Sequence, residues 1–419
     1  MTFTELIQNA ALLRAINERG YSTPTPIQMS AIPLILKGGD VVAQAQTGSG
    51  KTAAFCLPLL QQWAVERAIT PRRVRTLVLV PTRELAAQVG DVMRNLAHHL
   101  PKPIKLSVAY GGISINPQML QLRGGADMVI ATPGRLLDLI RQHAVTISHV
   151  KTLVFDEADR LFESGFADEI RQILSLVPAQ RQTLLFSATF PDQVLELTEN
   201  GLRNPVRVDV ADSATHKPDI HQRAIGVDMQ RRTELLIHLI RQHRWNRVLV
   251  FTSSRYASEL VAMKLRKAHI FAEPFHGELG QGKRTQVLSD FKTNRIQVIV
   301  ATDLASRGID IPNLPVVINY DPPRSSDDYT HRIGRTGRAG NAGVAINFVC
   351  ASNDAHFKFI EQSQQIRLER EHLSGFEPVL TDVSVLPEEK GPGGIKSHRP
   401  NKKDRLRMLT LAPAKNRSS

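Results

Sequence analysis

The chain has 419 residues, 42% of them apolar, and carries 53 Lys and Arg against 40 Asp and Glu, a formal charge of +13. That length and apolar content allow two or three domains with real cores and exclude a disordered chain, and no run approaches the ~18 uncharged apolar residues of a membrane helix. The positive balance favours a polyanionic partner without naming it. Two distant cysteines, Cys56 and Cys350, make neither a disulfide framework nor a zinc site, and fit small core residues in a reducing, cytoplasmic compartment.

In chain order, residues 1–20 carry Glu5, Arg14, Glu18 and Arg19 on a helical pattern, which predicts a folded helix and no secretion signal. Short β-branched runs then alternate with longer amphipathic stretches. Strands are expected at 40–44, 76–80, 105–109, 127–131, 152–155, 183–186 and 206–210, and a second series at 247–252, 270–275, 296–302, 316–320 and 344–349. Near-continuous apolar strands such as "TLVLV", spaced by helix-length segments, predict α/β architecture: mostly parallel sheets with helices on both faces. A stretch with two prolines and a Ser/Thr/Asp cluster separates the two series. The expected organisation is a first domain over 1–211, a linker over 212–218, a second domain over 219–365, and an extension over 366–419. Residues 390–419 hold nine Lys and Arg against the single acidic Asp404, as in a disordered basic tail suited to weak RNA contact.

The segment "AQTGSGKT", from Ala45 through Gln46, Thr47, Gly48, Ser49 and Gly50 to Lys51 and Thr52, lies between a predicted strand and a predicted helix. Backbone N–H groups at a helix start point at phosphate, and the helix dipole favours negative charge there. Lys51 would reach the outer phosphates and the Thr52 hydroxyl would sit on Mg²⁺. The blander alternative is a flexible loop with a chance Gly-Ser-Gly-Lys-Thr. Further on, "TLVFDEAD" ends an apolar strand in adjacent carboxylates. Asp156 is placed to hold Mg²⁺ and Glu157 to deprotonate an attacking water. Alone, the pair could equally cap a helix; the phosphate loop upstream favours catalysis.

With these motifs the chain resembles the DEAD-box RNA helicases of superfamily 2, and within them the bacterial RhlE-like proteins, over roughly residues 3–350. The resemblance implies two tandem RecA-like domains, ATP and Mg²⁺ as cofactors, and RNA as a largely sequence-blind partner. It further implies a role in ribosome assembly or RNA decay, with ribosomal precursor particles or decay proteins as partners. "GYSTPTPIQ" resembles the Q motif, with Gln28 reading adenine and Phe3 as its upstream aromatic. "PTREL", "YGG" and "TPGR" imply RNA contacts from Thr82, Arg83, Gly112, Thr132 and Arg135. "SAT" implies that Ser187 and Thr189 couple the ATP state to strand separation. In the second half, "HGELGQGKR" supplies Gln281 and Arg284, the latter as an RNA contact. "ATDLASRGIDIP" supplies Thr302 for RNA and Asp310 for the ribose. "HRIGRTGR" supplies His331 for interdomain coupling, with Arg335 and Arg338 as γ-phosphate contacts in the manner of arginine fingers.

Three positions depart from the family pattern: Glu278 stands where aspartate is usual, Thr330 where a β-branched apolar residue is common, and Gly280 and Gly282 flank Gln281. None removes a group assigned to chemistry. The implied ATP site is split between the two domains, so ATP and RNA should bind cooperatively. A DNA-acting superfamily 2 enzyme and a non-unwinding RNA clamp are the alternatives.

Overall fold

A computed structural model describes residues 1–45, 48–66, 70–209, 220–303, 314–337 and 342–378. The first sheet contains β1 (Val41–Gln44), β2 (Thr76–Leu79), β3 (Leu106–Ala109), β4 (Met128–Ala131), β5 (Thr152–Asp156), β6 (Gln182–Ser187) and β7 (Val206–Asp209). Its spatial order is β3-β4-β2-β5-β6-β1-β7 and every pairing is parallel. The second sheet contains β8 (Ile220–Gly226), β9 (Val248–Thr252), β10 (Ala272–Phe275), β11 (Val298–Thr302), β12 (Val316–Asn319), β13 (Gly343–Val349) and β14 (Arg370–Glu371). Its order is β10-β11-β9-β12-β13-β8-β14, again all parallel.

Alternation of side chains along each strand divides the core between the two faces. In the first sheet Val41, Ala43, Val78, Ile130, Val154 and Leu184 join one cluster, and Val42, Leu77, Val129, Leu153 and Leu185 the other. The second sheet repeats the pattern, with Val248, Val250, Val298 and Val300 on one face and Leu249, Phe251, Ile299 and Ala301 on the other. Both faces are buried, which is why the strands read as unbroken apolar runs.

Strand order sorts the motifs. The segments after β1, β5 and β6 leave the first sheet from adjacent carboxyl ends, since Gln44 pairs with Ser187 and Asp156 with Phe186. The segments after β3, β4 and β2 leave the other half of the same edge. One half therefore carries "GSGKT", "DEAD" and "SAT", and the other "YGG", "TPGR" and "PTREL". Ligands bind along this edge in open parallel sheets.

Two strands, β8 and β14, escape sequence pattern. β8 reads "IHQRAIG", in which His, Gln and Arg interrupt the apolar run; Arg223 is matched by Glu371 of β14 at 2.5 Å. The second sheet therefore continues past residue 365. Ile366 and Leu368 pack against the Tyr329–Phe357 cluster, and Leu373 and Phe376 against the Val248 face. Residues 366–378 are thus an ordered part of the second domain rather than of a disordered extension. Four hydrophobic residues in thirteen are too sparse to show a period. The expected linker 212–218 and the basic segment 390–419 lie outside the described residues. At the N-terminus the single predicted helix is two, Phe3–Leu6 and Ala10–Glu18, the second capped by Asn9, whose side chain accepts from the Ala11 and Leu12 amides. Among the described residues no helix is long and apolar enough to cross a membrane.

Candidate functional site

Helix Lys51–Val65 starts directly after the glycine-rich loop. Gly48 and Gly50 have φ of +89° and +93°, where side chains are strained. A Cβ on Gly50 would also lie 2.5 Å from Gln28 Nε2, so glycine at 50 is required by both backbone and neighbour. Ala45, by contrast, is a buried core residue with no glycine-only requirement among its contacts. Its carbonyl accepts from Lys51 Nζ at 2.8 Å, which folds the buried lysine over the loop. Gln46 and Thr47 lie outside the described residues. Gln28 is tied to the same loop: its Oε1 accepts from the Thr25 amide at 3.0 Å and its Nε2 donates to the Gly50 carbonyl at 3.1 Å. A primary amide has two lone pairs and two hydrogens, so one of each is left for a ligand.

These groups open on one cavity of about 460 Å³, a nucleotide-sized volume. Phe3, Tyr21 and Gln28 line it, together with Gly48, Gly50, Lys51 and Thr52. Asp156, Glu157 and Arg335 line it too, the last contributed by the second domain. Ser49 is half-buried beside them. Asp156 is 2% exposed, and burial pushes its carboxyl up to about 7; Lys51 opposes the shift and the Glu157 charge adds to it. A buried carboxylate that is short of positive charge, beside a hydroxyl on the same cavity, is the donor set expected for a hard divalent cation that takes its other ligands from phosphate and water. Among the described residues no cluster of three or more His, Cys, Asp or Glu offers a closed protein-only metal site. Glu157 itself has φ of +53°, a strained conformation that turns the chain from β5 into helix Ala158–Glu163.

Asp159 is the hub between "DEAD" and "SAT", and no role was assigned to it from sequence. It is 1% exposed. Its Oδ2 accepts from both the amide and the hydroxyl of Thr189 at 3.0 Å, while its own amide donates to Ser187 Oγ at 3.1 Å. Ser187 Oγ in turn donates to the Thr189 carbonyl at 2.6 Å. The coupling expected of Ser187 and Thr189 thus has a physical partner, reached because β5 and β6 are neighbours.

The second domain meets this hub through helix Ser326–Ile333. Arg160, 3% exposed, bridges Glu163 at 2.7 Å and Asp328 at 3.2 Å. His331 lies in the same small cleft with Glu157, Arg160 and Arg335. Burial first, then the Arg160 charge, push its imidazole down to about 3, so it is neutral at pH 7. Arg332 also lines that cleft but is committed within its own domain: it grips Asp303 through Nε at 2.5 Å and Nη2 at 2.7 Å, and stacks over Phe251. Arg335 is the described arginine of this motif that reaches the cavity; Arg338 and Asp310 lie outside the described residues.

On the other half of the edge, Thr82 caps helix Arg83–Ala97, accepting from the Leu85 amide at 3.2 Å. The Arg83 guanidinium crosses Gly112, whose φ is +77° and whose Cβ would overlap it, and approaches Gln281 of the second domain at 3.5 Å. Thr132 is buried at the start of helix Pro133–Arg141. Arg135 is 8% exposed and donates to the Ile113 carbonyl at 2.8 Å, yet its Nε and Nη1 have no hydrogen-bond partner. Thr302 ends β11 half-buried. Arg284 differs from expectation: it is not open to a groove but pairs with Glu84 across the domains at 2.8 Å, both side chains 8% exposed. The Glu of "PTREL" was the missing partner, 200 residues away in sequence. Of the three departures, Glu278 pairs with Arg255, Gly280 precedes helix Gln281–Lys292, and Thr330 hydrogen-bonds the Ser326 carbonyl at 3.3 Å.

A phosphate loop, an Asp-Glu pair and an arginine from a second α/β domain on one cavity define a nucleotide-driven enzyme of two tandem RecA-like domains. Residues 25–197 match the DEAD/DEAH box helicase family and residues 231–340 the helicase conserved C-terminal domain. DEAD-box ATP-dependent RNA helicase CshA of Geobacillus kaustophilus is 38% identical over 369 residues, 88% of this chain and 78% of that protein. The chain belongs to the DEAD-box helicase family. Among solved structures, S. cerevisiae Dbp5 bound to RNA and ADP BeF3 superposes with a TM-score of 0.78 at 28% identity, covering 88% of this chain and 95% of that one. Mss116p bound to ssRNA and AMP-PNP superposes with a TM-score of 0.80 at 27% identity, covering 89% and 79%.

Proposed function

We propose that this protein is an ATP-dependent RNA helicase in which domain closure completes the ATP site and, on the same edge, a groove for the RNA backbone. One observation carries the reading: Gln28, Lys51, Asp156 and Glu157 of the first domain share a cavity with Arg335 of the second. The spare donor and acceptor of Gln28 would read the adenine edge, a pattern that guanine does not match. Gly48 and Gly50 let backbone amides approach the phosphates at the start of helix Lys51–Val65, and Lys51 would exchange the Ala45 carbonyl for phosphate oxygen. Thr52 and Asp156 would hold Mg²⁺, which supplies charge neutralisation on the phosphates. Glu157 takes the proton of the attacking water. Arg335 and Arg338 would stabilise charge that develops on the transferred phosphoryl group.

The RNA side uses Thr82, Arg83, Gly112, Thr132, Arg135 and Thr302. Buried Arg135 supports a phosphate contact there: its Nε and Nη1 make no hydrogen bond, and its carboxylate partner, Asp138, lies 3.8 Å from Nε, so donor capacity is left over. Such groups position a backbone without reading bases. Arg284 and Glu84 act differently, as a tie between domains. Two buried, unbridged cysteines support a reducing, cytoplasmic location.

The test is ATP hydrolysis and duplex unwinding measured with matched RNA and DNA strands. RNA should stimulate hydrolysis and DNA should not, because an RNA enzyme depends on 2′-OH contacts. Stimulation by DNA alone would assign the enzyme to DNA; RNA binding without hydrolysis would leave a clamp.

A further inference from the structure

The second domain has a basic and aromatic surface that the helicase cycle does not use. Three helices run into its sheet: Arg232–His243 before β9, Arg255–Lys267 before β10, and Gln281–Lys292 before β11. The turns that join them, "RQHRWNR", "KLRKAHIF" and "KTNRIQ", hold seven Lys and Arg in all besides Lys292 and no acidic residue. They converge on one groove, because β10, β11 and β9 are adjacent. The nucleotide and RNA motifs sit at the opposite, carboxyl ends of the strands, about 16 Å away for a five-residue strand.

Basic residues at helix C-termini are ordinary, since they suit the helix dipole. The aromatics are what that explanation leaves over. Phe271 is 74% exposed at the rim. His243 and Trp245 stack with centroids 4.6 Å apart and planes 13° from parallel, and the Trp245 carbonyl is pinned by Gln297 Nε2 at 2.6 Å. Arg244, exposed and held at φ +50°, has no hydrogen-bond or ion-pair partner among the described residues. Arg295 is 76% exposed and 3.6 Å from Asp290, the carboxylate nearest to it. An unpaired Arg244 and a largely exposed Arg295, set beside the exposed ring of Phe271 and the half-buried Trp245, form the kind of surface on which single-stranded nucleic acid is held, phosphates on the cations and bases on the rings.

We propose that this groove is a second single-stranded RNA site, which anchors RNA outside the cleft that does the work. The inference rests on the enzyme acting on RNA. RNA held there would stay attached when hydrolysis reopens the cleft, so the site should matter most without nucleotide.

The experiment uses the full chain and a fluorescent oligouridine long enough to span both faces, with affinity measured by anisotropy without nucleotide. Phe271→Ala with Arg244→Gln, both at exposed positions, should weaken binding roughly 5- to 150-fold, the range for loss of base stacking. It should also make the slope of log affinity against log salt shallower by about 0.7. RNA-stimulated ATP hydrolysis at saturating RNA should be unchanged. Crosslinking with 4-thiouridine should mark Phe271 or Trp245 in the wild type. Unchanged affinity and salt slope in the variant overturn the proposal, as does retained RNA affinity with selective loss of a protein partner. A wild type whose hydrolysis ignores RNA would defeat the helicase reading instead, a separate outcome.

Discussion

The Glu84–Arg284 pair makes a sharp test of domain closure. Its atoms are 2.8 Å apart, both side chains are 8% exposed, and the two residues belong to different domains. At an effective dielectric of ~20 the gross attraction at this distance is about 6 kcal/mol, most of it cancelled by desolvation. The net coupling expected for such a contact is about 1–3 kcal/mol, or about 5- to 150-fold in a binding constant. Arg284 also stacks over Phe275 at 4.6 Å, so truncation removes some packing within its own domain. A double-mutant cycle separates the two effects. RNA affinity is measured with and without a non-hydrolysable ATP analogue for wild type, Glu84→Ala, Arg284→Ala and the double variant. Each single change should weaken RNA binding in the presence of the analogue and leave nucleotide-free binding nearly intact. The double variant should be little worse than the worse single, because each truncation alone strands a buried charge. Additive losses, or equal losses without nucleotide, would refute the tie between domains.

Glu157→Gln should keep ATP and RNA binding but cut turnover at least ~10²-fold, measured as steady-state phosphate release; near-normal turnover would remove the base assignment. Gly50→Ala introduces a Cβ 2.5 Å from Gln28 Nε2 at φ +93°. It should abolish binding of a fluorescent ATP analogue while circular dichroism stays native; unaltered binding would show that the loop relaxes freely. His331 gives a pH signature. Its folded value of about 3 lies below the ordinary 6.5, so the unfolded chain takes up the proton first and stability is lost as pH falls from 6.5 towards 3. Between pH 7 and pH 5 the loss from this group is at most about 2 kcal/mol, and His331→Gln should show a correspondingly smaller drop in urea midpoint over that interval. An identical drop would mean the imidazole is not held neutral.

The sheets were legible because burial on both faces leaves apolar runs, and twelve strands are found close to where those runs predicted them. β8 and β14 were not, because this margin of the sheet, with β14 at the edge and β8 next to it, admits His221, Arg223 and Glu371, and the Arg223–Glu371 pair joins residues that no local pattern connects. The ATP cavity was legible for a different reason. Phosphate chemistry needs glycines, a lysine and carboxylates at fixed local spacings, and local spacing is what a sequence displays. The interdomain contacts were hidden because each joins residues 168 to 200 apart: Arg160 to Asp328, and Glu84 to Arg284. Arg284 was therefore expected on RNA. Asp159 was visible in the "DEAD" tetrad, but its partner Thr189 becomes its neighbour only through the order β5-β6.

The central claim is that the ATP site is complete only when RNA helps the second domain deliver its arginines. The direct measurement is kcat for ATP hydrolysis with and without saturating single-stranded RNA, in wild type and in Arg335→Ala. Wild type should be strongly stimulated, and Arg335→Ala should bind ATP normally yet lose stimulation by about 10³-fold or more, as for arginine fingers in phosphoryl transfer. Hydrolysis that proceeds equally fast without RNA, or survives the loss of Arg335, would contradict it.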